Sequence, residues 1–287
     1  MIPLAQPDIG EEEIRLVNEV LRSGWLSMGP KVGEFEGQFA NYIGTKHAIA
    51  VNSGTSGLHL CMNAIGIKKG DEVITSPFSF VASSNCIMFE SGKPVFVDID
   101  PDTLNLDVEN IEAAITKNTK AILPVHVFGQ PCEMDAIMNI AKKHNLAVIE
   151  DACEAVGAEY NGRKAGTFGD ASVFAFYPNK QMTTGEGGII VTDDDDIATL
   201  CRSLRNQGRS EDEEWLNHVR LGYNYRLDEM SCALGIGQLN RIDELLDKRT
   251  RVAEEYARQL SDVVGITTQY LDPNVKMSWF VYVVQVS

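Results

Sequence analysis

Residues 121–151, "AILPVHVFGQPCEMDAIMNIAKKHNLAVIED", are the clearest indication of the fold. A short apolar run at 121–128 is followed by a helical pattern at 132–145 and by a second apolar run at 146–151. A strand, a helix and another strand at this spacing are typical of neighbouring parallel strands joined by a crossover helix. The second strand ends on a carboxylate, Asp151.

The same alternation extends over most of the chain. Strands are predicted at 47–51, 71–77, 94–100, 171–177 and 187–193, and helices at 11–25, 31–44, 54–66, 108–115, 193–208 and 230–260. This order predicts an α/β fold with a mostly parallel central sheet flanked by helices. We expect a large domain at 1–245 and the beginning of a small, incomplete C-terminal domain at 246–287. Within the latter, residues 277–287 predict a strand.

The charge composition disfavours some classes of binding partner. The 287 residues carry a formal net charge of −16, which disfavours nucleic acid and anionic membranes as partners. A small anionic ligand is still compatible, because helix N-termini bind phosphate. The chain has neither a signal-peptide pattern nor a long apolar run, so we expect a cytoplasmic protein with reduced, buried cysteines. The acidic run at 193–196 predicts a helix cap, and no metal site is expected.

Three segments place polar residues after predicted strands, where open parallel sheets bind ligands. In "NSGTSGLHL" (52–60), small residues and the hydroxyls of Thr55 and Ser56 precede a helix and suit a phosphate, although a capped helix start explains the segment about as well. Asp151 suits a protonated ring nitrogen, or alternatively caps a helix. Lys180, in "FAFYPNKQMTTGEGG" (174–188), is either a desolvated nucleophile or a surface lysine.

Together the segments offer a phosphate site, a carboxylate and an amine, which match three groups of pyridoxal 5′-phosphate (PLP). Longer stretches carry a resemblance: 2–10, 21–36, 52–60, 150–188 and 222–239. They resemble successive signatures of the nucleotide-sugar aminotransferases of the DegT/StrS family, which are fold type I PLP-dependent enzymes.

The resemblance assigns roles at the reacting end of the cofactor. Lys180 would bond to the cofactor aldehyde and then carry a proton between cofactor and substrate. Asp151 would hold the ring N–H, and Phe80 would stack on the ring face, although an ordinary core phenylalanine explains Phe80 as well. Glu154 stands where many members have glutamine near the phenolic oxygen, and a protonated Glu154 would donate a hydrogen bond as glutamine does.

The resemblance also assigns residues to the phosphate group of the cofactor. Gly54, Thr55 and Ser56 would hold the phosphate, and Asn224 would reach the phosphate of a neighbouring subunit, so the family implies a homodimer with shared active sites. Many members also place a phosphate-binding serine where this chain has Ala175, so the remaining ligands would carry more of the binding.

The implied activity is transfer of an amino group from glutamate to a nucleotide-linked keto-sugar, for surface polysaccharide or glycan synthesis. The "TTGEGG" turn (183–188) resembles members that aminate a 4-keto-6-deoxy sugar. A PLP-dependent sugar dehydratase is one alternative, but such relatives carry histidine in place of Lys180. An amino-acid lyase belongs to the same alternative, a PLP enzyme of another reaction, but it would need a carboxylate-binding arginine, which the sequence does not identify. The other alternative is a non-catalytic regulator with a PLP fold. Family members are usually longer, so part of the small domain is expected to be missing.

Overall fold

The computed structural model describes residues 5–210 and 217–287. Residues 1–4, which include the start of the stretch 2–10, and residues 211–216, within a stretch predicted as a polar loop, lie outside the described part. The helices are α1 (Glu11–Ser23), α2 (Pro30–Ile43), α3 (Gly54–Ala64), α4 (Ala82–Phe89), α5 (Ile111–Ala114), α6 (Met134–His144), α7 (Asp195–Arg205), α8 (Glu229–Asn240) and α9 (Ile242–Leu260). The strands are β1 (His47–Val51), β2 (Glu72–Thr75), β3 (Lys93–Phe96), β4 (Thr119–Leu123), β5 (Ala147–Asp151), β6 (Glu159–Tyr160), β7 (Arg163–Lys164), β8 (Ala171–Ala175), β9 (Gly188–Thr192), β10 (Ile266–Thr268), β11 (Val275–Lys276) and β12 (Val284–Val286).

The central sheet has seven strands in the order β1-β9-β8-β5-β4-β2-β3. Pairing is parallel from β8 across to β3, whereas β9 runs antiparallel to both of its neighbours. The prediction of a mostly parallel α/β sheet is therefore confirmed. Because β1 and β8 both oppose β9, the strand ends that carry Val51, Leu123, Asp151 and Ala175 all lie at one edge of the sheet.

Successive strand residues point to opposite sides of the sheet, so both faces of the sheet carry apolar side chains. Helices cover both of these faces. Ile49 and Val51 of β1 pack with α3, α4 and α7 on one face. Ala48 and Ala50 pack with α1, α2 and α8 on the other, and the far half of that face is covered by α6. The fold is thus a three-layer arrangement that fixes the strand ends between two sets of helices.

The helix predicted at 230–260 is two helices. Backbone angles of φ −121° and ψ 20° at Arg241 end α8 and start α9. The glycines of α8 explain its separate packing, since a Cβ on Gly235 would stand 2.8 Å from the Phe35 ring and one on Gly237 would stand 2.8 Å from Glu13. Close contact with α1 and α2 sets the course of α8, and sequence periodicity does not report such contacts.

The strand predicted at 277–287 is wrong over most of its length. Only Val284–Val286 form a strand, which pairs with β10. Before it, β11 pairs with β6 and Ser278 donates a backbone hydrogen bond to the Gly129 carbonyl oxygen (3.0 Å). Residues 277–280 therefore contact the loop after β4 instead of extending a sheet. The domain boundary at 245/246 stays a prediction.

Gly129→Ala is expected to destabilise the protein by about 3 kcal/mol or more. Gly129 has φ +93°, and a Cβ there would stand 1.7 Å from the Ser278 carbonyl oxygen. The matched control is Gly24→Ala, since Gly24 has φ +71° and a Cβ added to it would meet no atom within 4 Å; it should cost only about 1 kcal/mol. Urea unfolding of both variants measures the difference, and equal losses would refute the close-contact explanation.

The remaining composition-based expectations concern thiols, metals and membranes. All six cysteines are free thiols; Cys153 is half-buried and the other five are buried. Across residues 5–210 and 217–287, no cluster of His, Cys, Asp and Glu suited to a metal ion is found. The described helices include none long and apolar enough to cross a bilayer.

Candidate active site

A cavity of about 710 Å³ opens at the edge of the sheet where the parallel strands end. Its lining comes from the segments that follow β1, β2, β4, β5 and β8. The sequence-predicted residues that line it are Gly54, Thr55, Phe80, Asp151, Glu154 and Lys180. The structure thus brings residues from positions 54 to 180 to one place, as expected if loops at one sheet edge build a ligand site.

Asp151 lies at the end of β5 and is 5% exposed. Ser83 Oγ donates a hydrogen bond to its Oδ2 (2.7 Å), and the Cys153 N–H donates to its Oδ1 (3.2 Å). These two bonds fix the carboxylate orientation and leave further acceptor sites on both oxygens. The pKa of the Cys153 thiol is raised well above its usual value, mainly by burial and to a smaller extent by the charge of Asp151. The Cys153 thiol beside Asp151 therefore stays protonated and neutral.

A second carboxylate lies on the opposite side of β5 and supports this strand end. Glu150 is fully buried and accepts hydrogen bonds from His126 Nε2 (3.0 Å) and from the N–H groups of Gly166 (2.8 Å), Phe168 (2.8 Å) and Gly169 (2.9 Å). Burial alone would raise the pKa of Glu150, but these donors outweigh it and hold that pKa below its usual value. Glu150 therefore ties two loops to the strand that presents Asp151.

Lys180 and Glu154 form an ion pair in the cavity. Lys180 Nζ lies 3.3 Å from Glu154 Oε1, and the two side chains are only 14% and 21% exposed. The other oxygen of Glu154 accepts the Phe128 N–H (2.9 Å). Both oxygens of Glu154 therefore have a partner in the cavity. The protonated Glu154 expected beside a bound cofactor stays a prediction.

The predicted phosphate site is the N-terminus of α3, where Ser53 caps the helix by accepting the Ser56 N–H (3.1 Å). Thr55 lines the cavity. Ser56 Oγ instead donates to Asn52 Oδ1 (2.6 Å), and its side chain lies outside the lining. A Cβ on Gly54 would stand 2.8 Å from Ala175 Cβ, so close packing holds this helix end against β8.

Two predicted residues lie at or beyond the rim. Phe80 lines the cavity but is 76% exposed. Asn224 is exposed and outside the lining, while its carbonyl oxygen accepts a bond from Asn52 Nδ2 (3.5 Å). The roles predicted for both, at the ring face and across a dimer, stay predictions.

Three residues of this site were not among those predicted from the sequence. Ser83 orients Asp151, Phe128 donates its N–H to Glu154, and the Phe280 ring lies 4.0 Å from Lys180 Nζ. Phe128 has φ +57°, and the glycine after it was the available signal of an unusual turn. Ser83 and Phe280 carry no local signal, because their partners are distant in sequence.

The donor set fits PLP. A buried, oriented carboxylate suits a ring N–H, a half-buried amine suits an aldehyde, and the start of α3 suits a phosphate. When bound, PLP supplies an electron sink that stabilises negative charge at the substrate carbon. Asp151 would hold its ring nitrogen, and Lys180 would lie at its aldehyde.

The fold and this cavity are typical of the PLP-dependent aminotransferases. The chain belongs to the DegT/DnrJ/EryC1/StrS aminotransferase family, whose model matches residues 7–287. It is 47% identical to GDP-perosamine synthase of Caulobacter vibrioides over 261 residues (91% of this chain, 70% of that protein). It is 44% identical to the spore coat polysaccharide biosynthesis protein SpsC of Bacillus subtilis over 294 residues (99% and 76%).

Solved structures agree with this assignment. The PLP form of Spr1654 from Streptococcus pneumoniae has a TM-score of 0.94 at 29% identity, covering 99% of this chain and 78% of that one. The chain is therefore an enzyme of the transaminase type, a sugar aminotransferase. A regulatory name also occurs among the relatives, since the chain is 43% identical to the pleiotropic regulatory protein of Geobacillus stearothermophilus over 255 residues (88% of this chain, 68% of that protein).

Proposed function

We propose that this enzyme transfers the amino group of glutamate to the ketone of a nucleotide-linked 4-keto-6-deoxy sugar, with PLP as cofactor. The observation that carries the proposal is the presence of the Lys180 amine and the buried Asp151 carboxylate in one cavity of about 710 Å³. The name of the Caulobacter relative makes a GDP-linked sugar the first substrate to test. The name of SpsC supports a setting in surface polysaccharide synthesis, which we place in the cytoplasm.

The residues of the chain would divide the work as follows. Lys180 Nζ would accept and return the proton at the reacting carbon, as a general base and acid. Asp151 would keep the ring nitrogen protonated through a charged hydrogen bond worth about 1.5–3 kcal/mol. Gly54, Thr55 and Ser56 would hold the phosphate at the start of α3, which requires the Ser56 hydroxyl to turn from Asn52. Phe80 would cover the ring face, and Glu154 would face the phenolic oxygen.

Cofactor loading is the first test. The purified protein incubated with PLP should gain a visible absorption band, and borohydride followed by peptide mass spectrometry should find the cofactor fixed on Lys180. Glutamate should then discharge the band and yield 2-oxoglutarate. A protein that takes up no PLP, or carries it on another lysine, would overturn the proposal. If a nucleotide-linked keto-sugar is then added, release of a deoxygenated sugar without nitrogen would instead indicate the dehydratase.

We also propose a homodimer with shared active sites. Phe80, Phe89 and Leu221 are 76%, 54% and 86% exposed, and large apolar side chains left in water are typical of association surfaces. Asn224 is exposed and lies outside the cavity of its own subunit, as a residue that serves a partner would.

Asn224→Ala is expected to weaken PLP binding about 5- to 10-fold through loss of one phosphate hydrogen bond. Mixing inactive Lys180→Ala with Asn224→Ala, after dissociation and reassembly, tests the dimer. If Asn224 serves the partner, each mixed dimer regains one site with both residues and full PLP affinity. If affinity stays at the level of Asn224→Ala alone, the residue does not act across an interface.

A further inference from the structure

Residues 278–280, which we call the capping segment, are hydrogen-bonded to segments next to the cavity lining. Ser278 is 2% exposed, its N–H donates to the Gly129 carbonyl oxygen (3.0 Å), and its hydroxyl donates to the Val156 carbonyl oxygen. Gln181 Nε2 donates to both the carbonyl and hydroxyl oxygens of Ser278, each at 3.1 Å. Gln181 directly follows Lys180, so the capping segment is attached to the loop that carries the reactive lysine.

Arg249 of α9 makes a second attachment between the same two segments. Its guanidinium donates to the carbonyl oxygens of Trp279 (3.3 Å) and Phe280 (3.0 Å), and also to those of Asn179 (3.4 Å) and Lys180. Burial lowers the pKa of Arg249. A half-buried guanidinium fork that donates to four carbonyl groups is suited to holding two backbone segments in register.

The Phe280 side chain, which these bonds hold in place, packs against Lys180. The Phe280 ring centroid is 4.0 Å from Lys180 Nζ, within the range of a cation–π interaction. Among the described residues that line the cavity, Phe280 alone comes from the chain after residue 187. The ring and Glu154 contact the same ammonium group, so its position is set by both.

We propose that Phe280 is a positioning residue that holds the Lys180 amine in the cavity, and that Arg249 keeps Phe280 in place. The inference rests on the proposed function for the role of Lys180 as the reactive amine. It assigns to the C-terminal segment a share in the acid–base behaviour of that amine. The titratable and charged groups around Lys180 are Asp151 at the end of β5, Cys153 and Glu154 after it, Tyr177 and Glu186 on its own loop, and Arg249 on α9.

The test follows the Lys180 amine without cofactor or substrate. Cofactor-free protein is labelled with a trace of acetic anhydride over a range of pH, and the Lys180 peptide is quantified by mass spectrometry. Phe280→Leu should lower the midpoint of the labelling curve and raise the rate below that midpoint roughly 3- to 30-fold, because loss of the ring removes stabilisation of the ammonium form. Phe280→Tyr should restore the original midpoint.

A matched control removes a different ring from the same region. Tyr282 stacks on Trp279 and Tyr256 at 5.5 Å and 5.2 Å and does not line the cavity. Tyr282→Leu should leave the midpoint unchanged. An equal shift in Tyr282→Leu and Phe280→Leu would show that the effect is a general loosening of the segment, and would overturn the proposal.

Arg249 is tested by coupling. Arg249→Lys retains the charge but loses the fork, so it should shift the midpoint in the same direction as Phe280→Leu, and the double variant should shift it no further. A lowered melting temperature with an unmoved midpoint would make Arg249 merely structural. If Arg249→Lys fails to fold, the Phe280 variants still decide the central point. An unmoved midpoint in Phe280→Leu, with amino transfer intact in the native enzyme, refutes this inference alone.

Discussion

Lys180→Ala is expected to lower turnover about 10³- to 10⁴-fold, the scale of a general acid–base group, with its covalent role lost as well. The substitution replaces the lysine side chain by a methyl group, and so removes the only side-chain amine among the described residues that line the cavity. The variant should still bind PLP, because the carboxylate and helix start are untouched, but borohydride should no longer fix the cofactor to the chain. The measurement is steady-state amino transfer with equilibrium dialysis of PLP.

Lys164→Ala is the control for this variant. Lys164 is also half-buried and packs on an aromatic ring, with Nζ 3.8 Å from the centre of Tyr42, but it lies away from the cavity. Its loss should cost some stability and leave turnover within a few-fold of the native enzyme. Native turnover in Lys180→Ala would remove the assigned role.

Asp151→Asn is expected to lower turnover roughly 10²-fold, which corresponds to a charged hydrogen bond of up to about 3 kcal/mol. Asparagine keeps the shape and can keep its bond to Ser83, but it has no charge with which to hold a protonated ring nitrogen. PLP affinity and turnover should fall together, while the Lys180 labelling curve of cofactor-free protein should move only slightly.

Ser83→Ala gives the graded comparison, since it leaves the charge and removes one orienting bond to Oδ2 (2.7 Å). We expect a loss of about 5-fold, equivalent to about 1 kcal/mol. If Asp151→Asn were no worse than Ser83→Ala, the charge of Asp151 would not be what the site uses.

Much of the fold was predictable because it depends on local patterns. The alternation of apolar runs and helical periodicity in 121–151 gave strands and a helix where β4, α6 and β5 lie. The break at Arg241 and the short Val284–Val286 strand were not predictable, since α8 follows its packing partners and residues 277–280 follow the loop at Gly129.

The residues of the site were likewise predictable where the signal is local and unpredictable where it depends on distant partners. Asp151 and Lys180 were found because a polar side chain after an apolar strand is a local signal. Ser83, Phe128 and Phe280 act through partners 26 to 100 residues away, for example Ser83 on Asp151 at a separation of 68. Ser56 shows the reverse: its hydroxyl has a local partner in Asn52, which composition alone does not indicate.

The most direct test of the central claim follows the nitrogen. The PLP-loaded enzyme is incubated with glutamate labelled at its amino nitrogen and a GDP-linked 4-keto-6-deoxy sugar, and the nucleotide sugar is analysed by mass spectrometry, with UDP- and dTDP-linked keto-sugars in parallel. We expect one labelled nitrogen in the sugar, an equal amount of 2-oxoglutarate, and no transfer by Lys180→Ala. A loaded enzyme that leaves all three keto-sugars free of label, or transfers the label equally well without Lys180, would contradict the central claim.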